Sequence, residues 1–148
     1  MECDGYIVPV IWGRHNAISL PELHDSIVSC ISFTNDSISL SVITPCSNNI
    51  MINFIGIHAF CCNELLESNI IYDVRKIEYD AITIEMIEKL YNVPSDFVIR
   101  DSMLQQVQQK ISSEESIFVR VSSSYGCEIL TLCKTIEMRK CGKTMLSP

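Results

Sequence analysis

The stretch that decides the fold runs from Leu23 to Ile57 and reads LHDSIVSCISFTNDSISLSVITPCSNNIMINFIGI. Its central part alternates apolar and polar residues, as a half-buried β-strand does. The residues expected to point inward there are Ile38, Leu40 and Val42. Turn-forming residues lie on both sides, at Asn35-Asp36 and from Pro45 to Asn49. The stretch therefore predicts three antiparallel strands joined by tight turns.

The two flanking strands have less regular patterns. In the first of them, Ile27, Ile31 and Phe33 are predicted to share one face with Ser29 among them, and Val28 and Cys30 are predicted to point the other way. The second runs from Met51 to Ile57, and Gly56 is expected to form a β-bulge there. Both strands are predicted to lie beside the central one in the same sheet.

The chain on either side of this stretch adds further elements. Tyr6 to Trp12 is apolar and contains Pro9, which indicates an edge strand or an extended arm. A loop is predicted from Gly13 to Glu22. Residues 58–68 fit either a short helix or an excursion from strand to loop, and Ile70 to Tyr79 is predicted to be a fourth strand.

Two helices are predicted next. Asp80 is expected to cap the first, which ends before Pro94 and has its apolar residues at helical spacing. Those residues are Ile84, Ile87, Leu90 and Tyr91. Asp101 is expected to cap the second, with an exposed glutamine-rich loop as the alternative. The residues predicted to face inward on it are Leu104, Val107 and Ile111.

A last hairpin completes the pattern, with a strand over 117–121, a turn from Ser122 to Gly126 and a long strand from Glu128 to Met138. The sum predicts an α+β fold: an antiparallel sheet of six to seven strands, curled or folded into a β-sandwich, with one or two helices inserted before the last hairpin. Length favours a single domain over residues 1–148, with its core at about 6–140 and a flexible tail at 141–148.

Charge is the clearest pointer to a partner. The net charge is -7, and residues 64–115 hold eleven acids against five bases. Such a surface repels phosphate backbones, so direct nucleic-acid binding is not expected, whereas a basic protein would be attracted. Either a solvated face or an acidic protein interface explains the carboxylates. The candidate partner-binding residues are Glu64, Glu67, Asp73, Glu85, Glu88, Asp96 and Asp101. The candidate aromatic anchors are Trp12, Tyr72, Tyr91 and Phe97.

The chain contains eight cysteines but no C-x-x-C pair. The N-terminal residues are acidic where a secretory signal would be basic, and the apolar runs are far shorter than a membrane span. A cytoplasmic protein with reduced, mostly buried thiols is therefore expected, and a disulfide framework is the alternative.

Residues with catalytic chemistry are few. His24-Asp25-Ser26 lists the members of a hydrolase triad, but triad members meet from distant positions, so a role in a turn is the preferred interpretation. His58 with Cys61 and Cys62 could bind a metal, although neighbouring cysteines chelate one ion awkwardly. No phosphate-binding glycine motif is present. The sequence predicts no catalytic residue, no metal and no cofactor, and a cysteine-dependent enzyme remains the least favoured alternative.

Several segments carry a resemblance to a known family. In the first half of the chain they are Leu23-His24-Asp25-Ser26, Ile31-Ser32-Phe33, Ser39-Leu40-Ser41-Val42 and Ile52-Asn53-Phe54-Ile55-Gly56-Ile57. In the last hairpin they are Phe118-Val119-Arg120-Val121, Ser123-Ser124-Tyr125-Gly126 and Ile129-Leu130-Thr131-Leu132. With these segments, residues 23–138 resemble small bacterial immunity proteins of the polymorphic or contact-dependent toxin systems.

The resemblance implies a cytoplasmic protein that is not an enzyme and is encoded beside a toxin. It would neutralise a cognate toxin domain, a basic nuclease, by covering the active cleft with its acidic surface. The alternative function is a small β-rich domain that binds an apolar ligand in the mouth of the curled sheet. Oligomeric state and the identity of the toxin stay open at this point.

Overall fold

The computed structural model describes residues 5–20, 22–93 and 99–143. These residues form nine strands and two α-helices, together with short 3₁₀ turns at Arg14–Asn16 and Tyr79–Ala81. The strands are β1 (Tyr6–Val8), β2 (Ile11–Trp12), β3 (Ile18–Leu20), β4 (Ile27–Phe33), β5 (Ser37–Ile43), β6 (Asn48–Asn63), β7 (Ile70–Lys76), β8 (Ile117–Tyr125) and β9 (Glu128–Lys143). The helices are α1 (Ile84–Tyr91) and α2 (Ile99–Ser112). The predicted α+β class, with its helices before the last hairpin, is confirmed.

Seven of the described strands form one antiparallel sheet in the order β1-β9-β6-β5-β4-β7-β8. β8 also pairs with β9, so the sheet curls until six strands close into a ring. The long β9 permits this closure, because its first half pairs with β8 while its second half pairs with β1 along the same edge. β2 and β3 form a separate two-stranded sheet.

The main core fills the inside of the ring. β5 alternates as predicted, with Leu40 and Val42 fully buried and the serines between them partly exposed. Ile52 and Phe54 of β6 and Met138 of β9 are also fully buried. Burial of each such side chain contributes about 1.5–3 kcal/mol, and together they explain why this face of the sheet points inward.

A second core lies on the outside of the ring, under the two helices. Ile87 and Leu90 of α1 and Val107 of α2 pack with buried residues of the strands below, which are Phe118, Leu130 and Leu132. The helix over residues 99–112 replaces the loop alternative, since partly buried Leu104 and Ile111 pack against this cluster.

The predicted helix caps were wrong. The Met86 amide donates to the Thr83 side chain at 3.2 Å, so Thr83 caps α1, while Asp80 lies in the preceding 3₁₀ turn. Asp101 lies within the first turn of α2 and does not precede the helix. Aspartate is the more favoured cap in general, but a threonine hydroxyl can also accept the free amide, and Thr83 directly precedes the first helical residue.

Several element bounds also differ from the prediction. The predicted loop from Gly13 to Glu22 contains β3, and β6 continues through Asn63 because β9 pairs with it along its whole length. The predicted turn from Ser122 is strand as far as Tyr125. Of the predicted tail, residues 141–143 extend β9, and residues 144–148 lie outside the described residues.

Candidate partner-binding surface

The ring of strands is open at one seam. β4 pairs with β7 only at Ile27 and Ile70, and beyond that pair no described strand covers the edge of β4 from Ser29 to Phe33. Three backbone hydrogen bonds flank that pair: the Val28 amide donates to the Asn69 carbonyl, the Ile71 amide to the Ser26 carbonyl and the Asp25 amide to the Ile71 carbonyl, each at 2.9 Å. The closure is therefore short and ends at Val28. The opening leaves the inner face of the ring accessible at this end.

A β-bulge determines which residues of β4 face this opening. The register with β5 shifts between Val28 and Cys30, which places Val28 and Ile31 against the inner core. Ile27, predicted to share the face of Ile31, is instead 45% exposed, and Val28, predicted to point the other way, packs against the core. The prediction for Ile27 was wrong because the inserted residue reverses the alternation at that point.

Phe33 is the main apolar residue at the opening. Its partner in the register is the buried Ile38, so Phe33 belongs to the inner face, yet it is 67% exposed because the seam beside it is open. Its ring lies edge-on to the ring of Phe60 on β6, with centroids 5.9 Å apart. Edge-to-face contact of this kind favours a fixed orientation of both rings.

The bulge predicted at Gly56 is confirmed and shapes the other wall. The Gly56 and Ile57 amides both donate to the Asp36 carbonyl, at 2.9 and 3.2 Å, and Gly56 has a φ of +71°. Pairing with β5 ends there, while β6 continues from His58 to Asn63 alongside β9. β6 therefore carries Phe60 past the end of β5 and into the opening.

The loop from residue 64 to 69 forms the third wall, and Asn69 holds it. The buried Asn69 side chain accepts from the amides of Leu66 (3.1 Å) and Cys127 (2.9 Å) and donates to the Leu66 carbonyl (2.9 Å). A disulfide between Cys62 and Cys127 fixes the start of the same loop. Leu65 and Leu66 are held at the opening by these contacts, at 62% and 47% exposure.

Together these walls enclose an open groove of about 380 Å³, called the mouth groove from here on. Its main lining residues are Val28, Ile31, Phe33, Phe60, Leu65 and Leu66. The space beneath it is about 10 Å³, so the groove does not continue into the ring. Such a space holds one water molecule at most. No charged side chain lines the groove among the described residues.

The predicted acidic residues are divided among several elements. Glu64 and Glu67 are exposed in the loop that carries Leu65 and Leu66, so they lie beside the mouth groove. Glu85 is exposed and Glu88 half-buried on α1, and Asp101 is exposed on α2. Asp96 lies outside the described residues.

The acidic residues also differ in whether they form ion pairs. Arg75 binds Asp73 at 2.7 Å, and the Asp73 side chain is only 16% exposed, so Asp73 serves an internal pair on β7. Arg120 and Lys89 bind Glu128 at 2.8 and 3.8 Å. Within the described part of the chain, no cation forms an ion pair with the partner-binding candidates Glu64, Glu67, Glu85 or Asp101.

The predicted aromatic anchors lie elsewhere. Trp12 is half-buried with the Lys76 ammonium 5.2 Å above its ring, and Tyr91 packs into the second core. Burial raises the pKa of the Tyr91 hydroxyl. Tyr72 is exposed beside His24, and Phe97 lies outside the described residues. The sequence contained one apolar signal for the mouth groove, which is the Leu65-Leu66 pair inside a polar loop.

The cysteines do not form the reduced, buried set that was expected. Cys62 is bonded to Cys127, Cys141 is also disulfide-bonded, and the thiols of Cys30 and Cys46 are exposed. The buried Cys133 does follow the expectation. Disulfides persist mainly in oxidising compartments, whereas the reduced thiols that were expected are typical of the cytoplasm.

The described side chains that were candidates for catalysis or metal binding do not come together in one site. His24 and Cys46 line one cleft, and Asp25 lies 3.1 Å from His24 Nδ1, but no hydrogen bond joins the Cys46 thiol to His24 in the part of the chain described. Of the metal candidates, Cys62 is in a disulfide. Burial and the charges of Lys110 and Lys134 lower the pKa of His58. Residues 5–20, 22–93 and 99–143 contain no group of three metal-binding side chains.

None of the described helices has the length and apolar character needed to cross a membrane. Comparison of the chain with protein-family models, with curated proteins and with solved structures found no match.

Proposed function

We propose that this protein is a non-enzymatic inhibitor of the toxin-immunity type, which binds a basic toxin domain of the nuclease class and covers its active cleft. The observation that carries the proposal is the mouth groove, where exposed Phe33, Leu65 and Leu66 lie beside the carboxylates of Glu64 and Glu67. Protein interfaces gain most of their affinity from a few apolar anchors and surround them with a polar rim. The groove has this layout.

The charge of the rim supports a basic partner. Glu64 and Glu67 have no cationic partner among the described residues, and the lining of the groove itself is uncharged. A nuclease holds its substrate with a basic cleft, so an acidic rim increases the rate of encounter and disfavours acidic partners. The desolvated apolar centre then slows dissociation.

Growth protection tests the proposal. The proteins encoded by the genes on either side of this one are expressed in a bacterial host, each with and without this chain. We expect one neighbour to arrest growth and this chain to restore it. The double variant Phe33→Ser/Leu65→Ser should lose the protection, whereas Tyr79→Ser, at a comparably exposed aromatic residue, should retain it. Growth arrest that this chain does not relieve, or no arrest by either neighbour, would contradict the proposal.

The proposal places the protein in the cytoplasm, where disulfides are uncommon. The bond between Cys62 and Cys127 therefore provides a test of location. Thiols trapped with acid in intact cells should show both cysteines reduced. A bonded pair in freshly trapped cells would place the protein in an oxidising compartment.

A second candidate function is the binding of an apolar ligand, which the volume and lining of the mouth groove favour. Because the inside of the ring is filled by residues such as Leu40 and Phe54, the ligand would have to lie in the groove itself. Solvent extraction of the purified protein followed by mass spectrometry tests this candidate. A stoichiometric apolar compound that the Phe33→Ser/Leu65→Ser variant lacks would support it over inhibition.

A further inference from the structure

From the open seam we infer that the mouth groove binds an extended, basic segment of the partner, which adds as a strand to the free edge of β4. This inference rests on the proposed function and names the form in which the partner engages the site. It depends on three properties of β4: free backbone groups, absence of features that protect an edge, and an apolar groove beside the edge.

The first property is the direction of the backbone groups. The Thr34 amide donates to the Ser37 carbonyl at 2.9 Å, and the register between β4 and β5 is regular from Cys30 to Phe33. Alternate residues of an antiparallel strand direct their N–H and C=O groups to opposite edges. Ile31 and Phe33 therefore direct theirs away from β5, to the edge that no described strand covers.

The second property is that this edge lacks the usual protection. Natural edge strands carry lysine, proline or inward-pointing charges that prevent pairing with other chains. β4 contains none of these between Ile27 and Phe33, where the sequence is IVSCISF, and its bulge lies before Cys30, so the edge from Cys30 to Phe33 is regular. A regular edge of this length is enough to pair with a short strand.

The third property gives the side-chain preference of the added strand. Side chains of a strand alternate between two faces, so every second residue of an added strand would enter the groove against Phe33, Phe60 and Leu65. These positions call for apolar residues. The residues between them would face outward near the carboxylates of Glu64 and Glu67, where lysine or arginine is favoured.

Charge also selects between the possible occupants. A second copy of this chain could pair with the same edge, but it would bring its own Glu64 and Glu67 to the seam. Two such acidic loops repel each other. A basic segment from another protein gains from the same charges, so it is the occupant that the observations favour.

The probe for this inference is a blocked peptide of alternating lysine and valine, about seven residues long, which is enough to span the free edge. Two variants of the peptide carry N-methyl groups, one on the valines and the other on the lysines. In a strand, the amides of the two residue types point to opposite edges. Strand addition therefore predicts that one N-methylated peptide binds at least about tenfold more weakly than the parent and that the other binds within about twofold of it.

Binding is measured by the amide NMR shifts of the full chain, which detect dissociation constants as weak as about 1 mM. The largest shifts are expected from Ser29 to Phe33. Glu64→Gln/Glu67→Gln should weaken binding and reduce its salt dependence, and Glu114→Gln/Glu115→Gln, at exposed carboxylates of another loop, should leave both unchanged. Equal binding of both N-methylated peptides, no binding at all, or a dimer of the free chain paired through β4 would overturn the inference.

The two proposals fail separately. If the neighbouring toxin is neutralised but the N-methylated peptides bind equally, inhibition stands and strand addition is wrong. If the peptides discriminate between the edges but no neighbouring protein is neutralised, the groove binds strands and the toxin-immunity function is wrong.

Discussion

Asn69 and Cys127 are 58 positions apart in the sequence, and a buried hydrogen bond of 2.9 Å joins the Asn69 carboxamide oxygen to the Cys127 amide. The same carboxamide binds both backbone groups of Leu66, so one side chain connects the last hairpin to the loop beside the mouth groove. Because a buried amide without a partner is costly, this connection fixes the loop and with it the exposed leucines.

Replacement of Asn69 tests that connection. Asn69→Ala leaves the buried Cys127 amide without its partner, so the free energy of unfolding should fall by about 1–3 kcal/mol. Urea denaturation measures the change. Asn35→Ala, in the exposed turn after β4, is the matched control and should stay within about 0.5 kcal/mol of the wild type. Faster hydrogen exchange at Leu66 in Asn69→Ala alone would show that the loop has loosened.

Gly126 and Gly56 allow a comparison of two left-handed positions, with φ of +91° and +71°. An alanine at either position lowers the free energy of unfolding by about 1 kcal/mol, because it has to adopt the left-handed backbone conformation. At Gly126 its Cβ would also clash with the Asn69 carboxamide oxygen and lie 2.9 Å from the Ser68 carbonyl, both of which are fixed. At Gly56 it would lie 2.7 Å from Lys134 Cγ and Cδ, which can rotate away, and 2.9 Å from Lys134 Cβ, so the clash there is relieved only in part.

Gly126→Ala should therefore lower the free energy of unfolding more than Gly56→Ala, and the excess should be at least about 1 kcal/mol. Urea denaturation of the two variants under the same conditions gives the difference. Equal destabilisation would mean that the contact between the turn and Asn69 is not rigid.

The disulfide between Cys62 and Cys127 closes a loop with a sequence separation of 65. Compared with purified protein in which this disulfide is formed, the double variant Cys62→Ser/Cys127→Ser should lose about 2–4 kcal/mol of stability, since its unfolded chain gains freedom. Thermal unfolding monitored by circular dichroism measures the loss. Cys30→Ser, at an exposed free thiol, should leave the unfolding midpoint almost unchanged. If Cys30→Ser lowered stability as much as the double variant does, loss of the disulfide would not be the cause.

Regular alternation made part of this fold predictable. β5 has no bulge, so its serines and apolar residues identify the buried face directly. β4 also mixes serines with apolar residues, but its bulge between Val28 and Cys30 reverses the faces. A period-two pattern contains no information about an inserted residue. The extent of β6 past Gly56 depends on pairing with β9, which is distant in sequence.

The candidate site was predictable in its charge and, from the Leu65-Leu66 pair, in part of its apolar lining, but not in Phe33. Glu64 and Glu67 stand out by composition, whereas Phe33 looks like a core residue in any strand pattern. Its exposure depends on the seam between β4 and β7, a property of ring closure that local sequence does not determine. Asp73 illustrates the opposite error, because it was counted among the partner-binding acids although Arg75, two residues later in the sequence, pairs with it.

Cys133 should make stability depend on alkaline pH. Burial raises the pKa of its thiol from 9.0 to about 12 in the folded protein. Between these values the unfolded chain loses the proton while the folded chain retains it, so rising pH favours unfolding. The contribution of Cys133 to stability is complete below pH 9.0 and is lost progressively as pH approaches about 12.

The variant Cys133→Ala isolates this effect. It loses some packing at every pH, but its free energy of unfolding should decline less than that of the wild type between pH 9.0 and about 12. Tyr91, whose pKa burial also raises, titrates in both proteins, so its effect cancels in the difference. Urea denaturation across this range gives the two slopes. Parallel slopes would mean that the Cys133 thiol ionises as easily in the folded chain as in the unfolded one, which its complete burial in the core inside the ring should prevent.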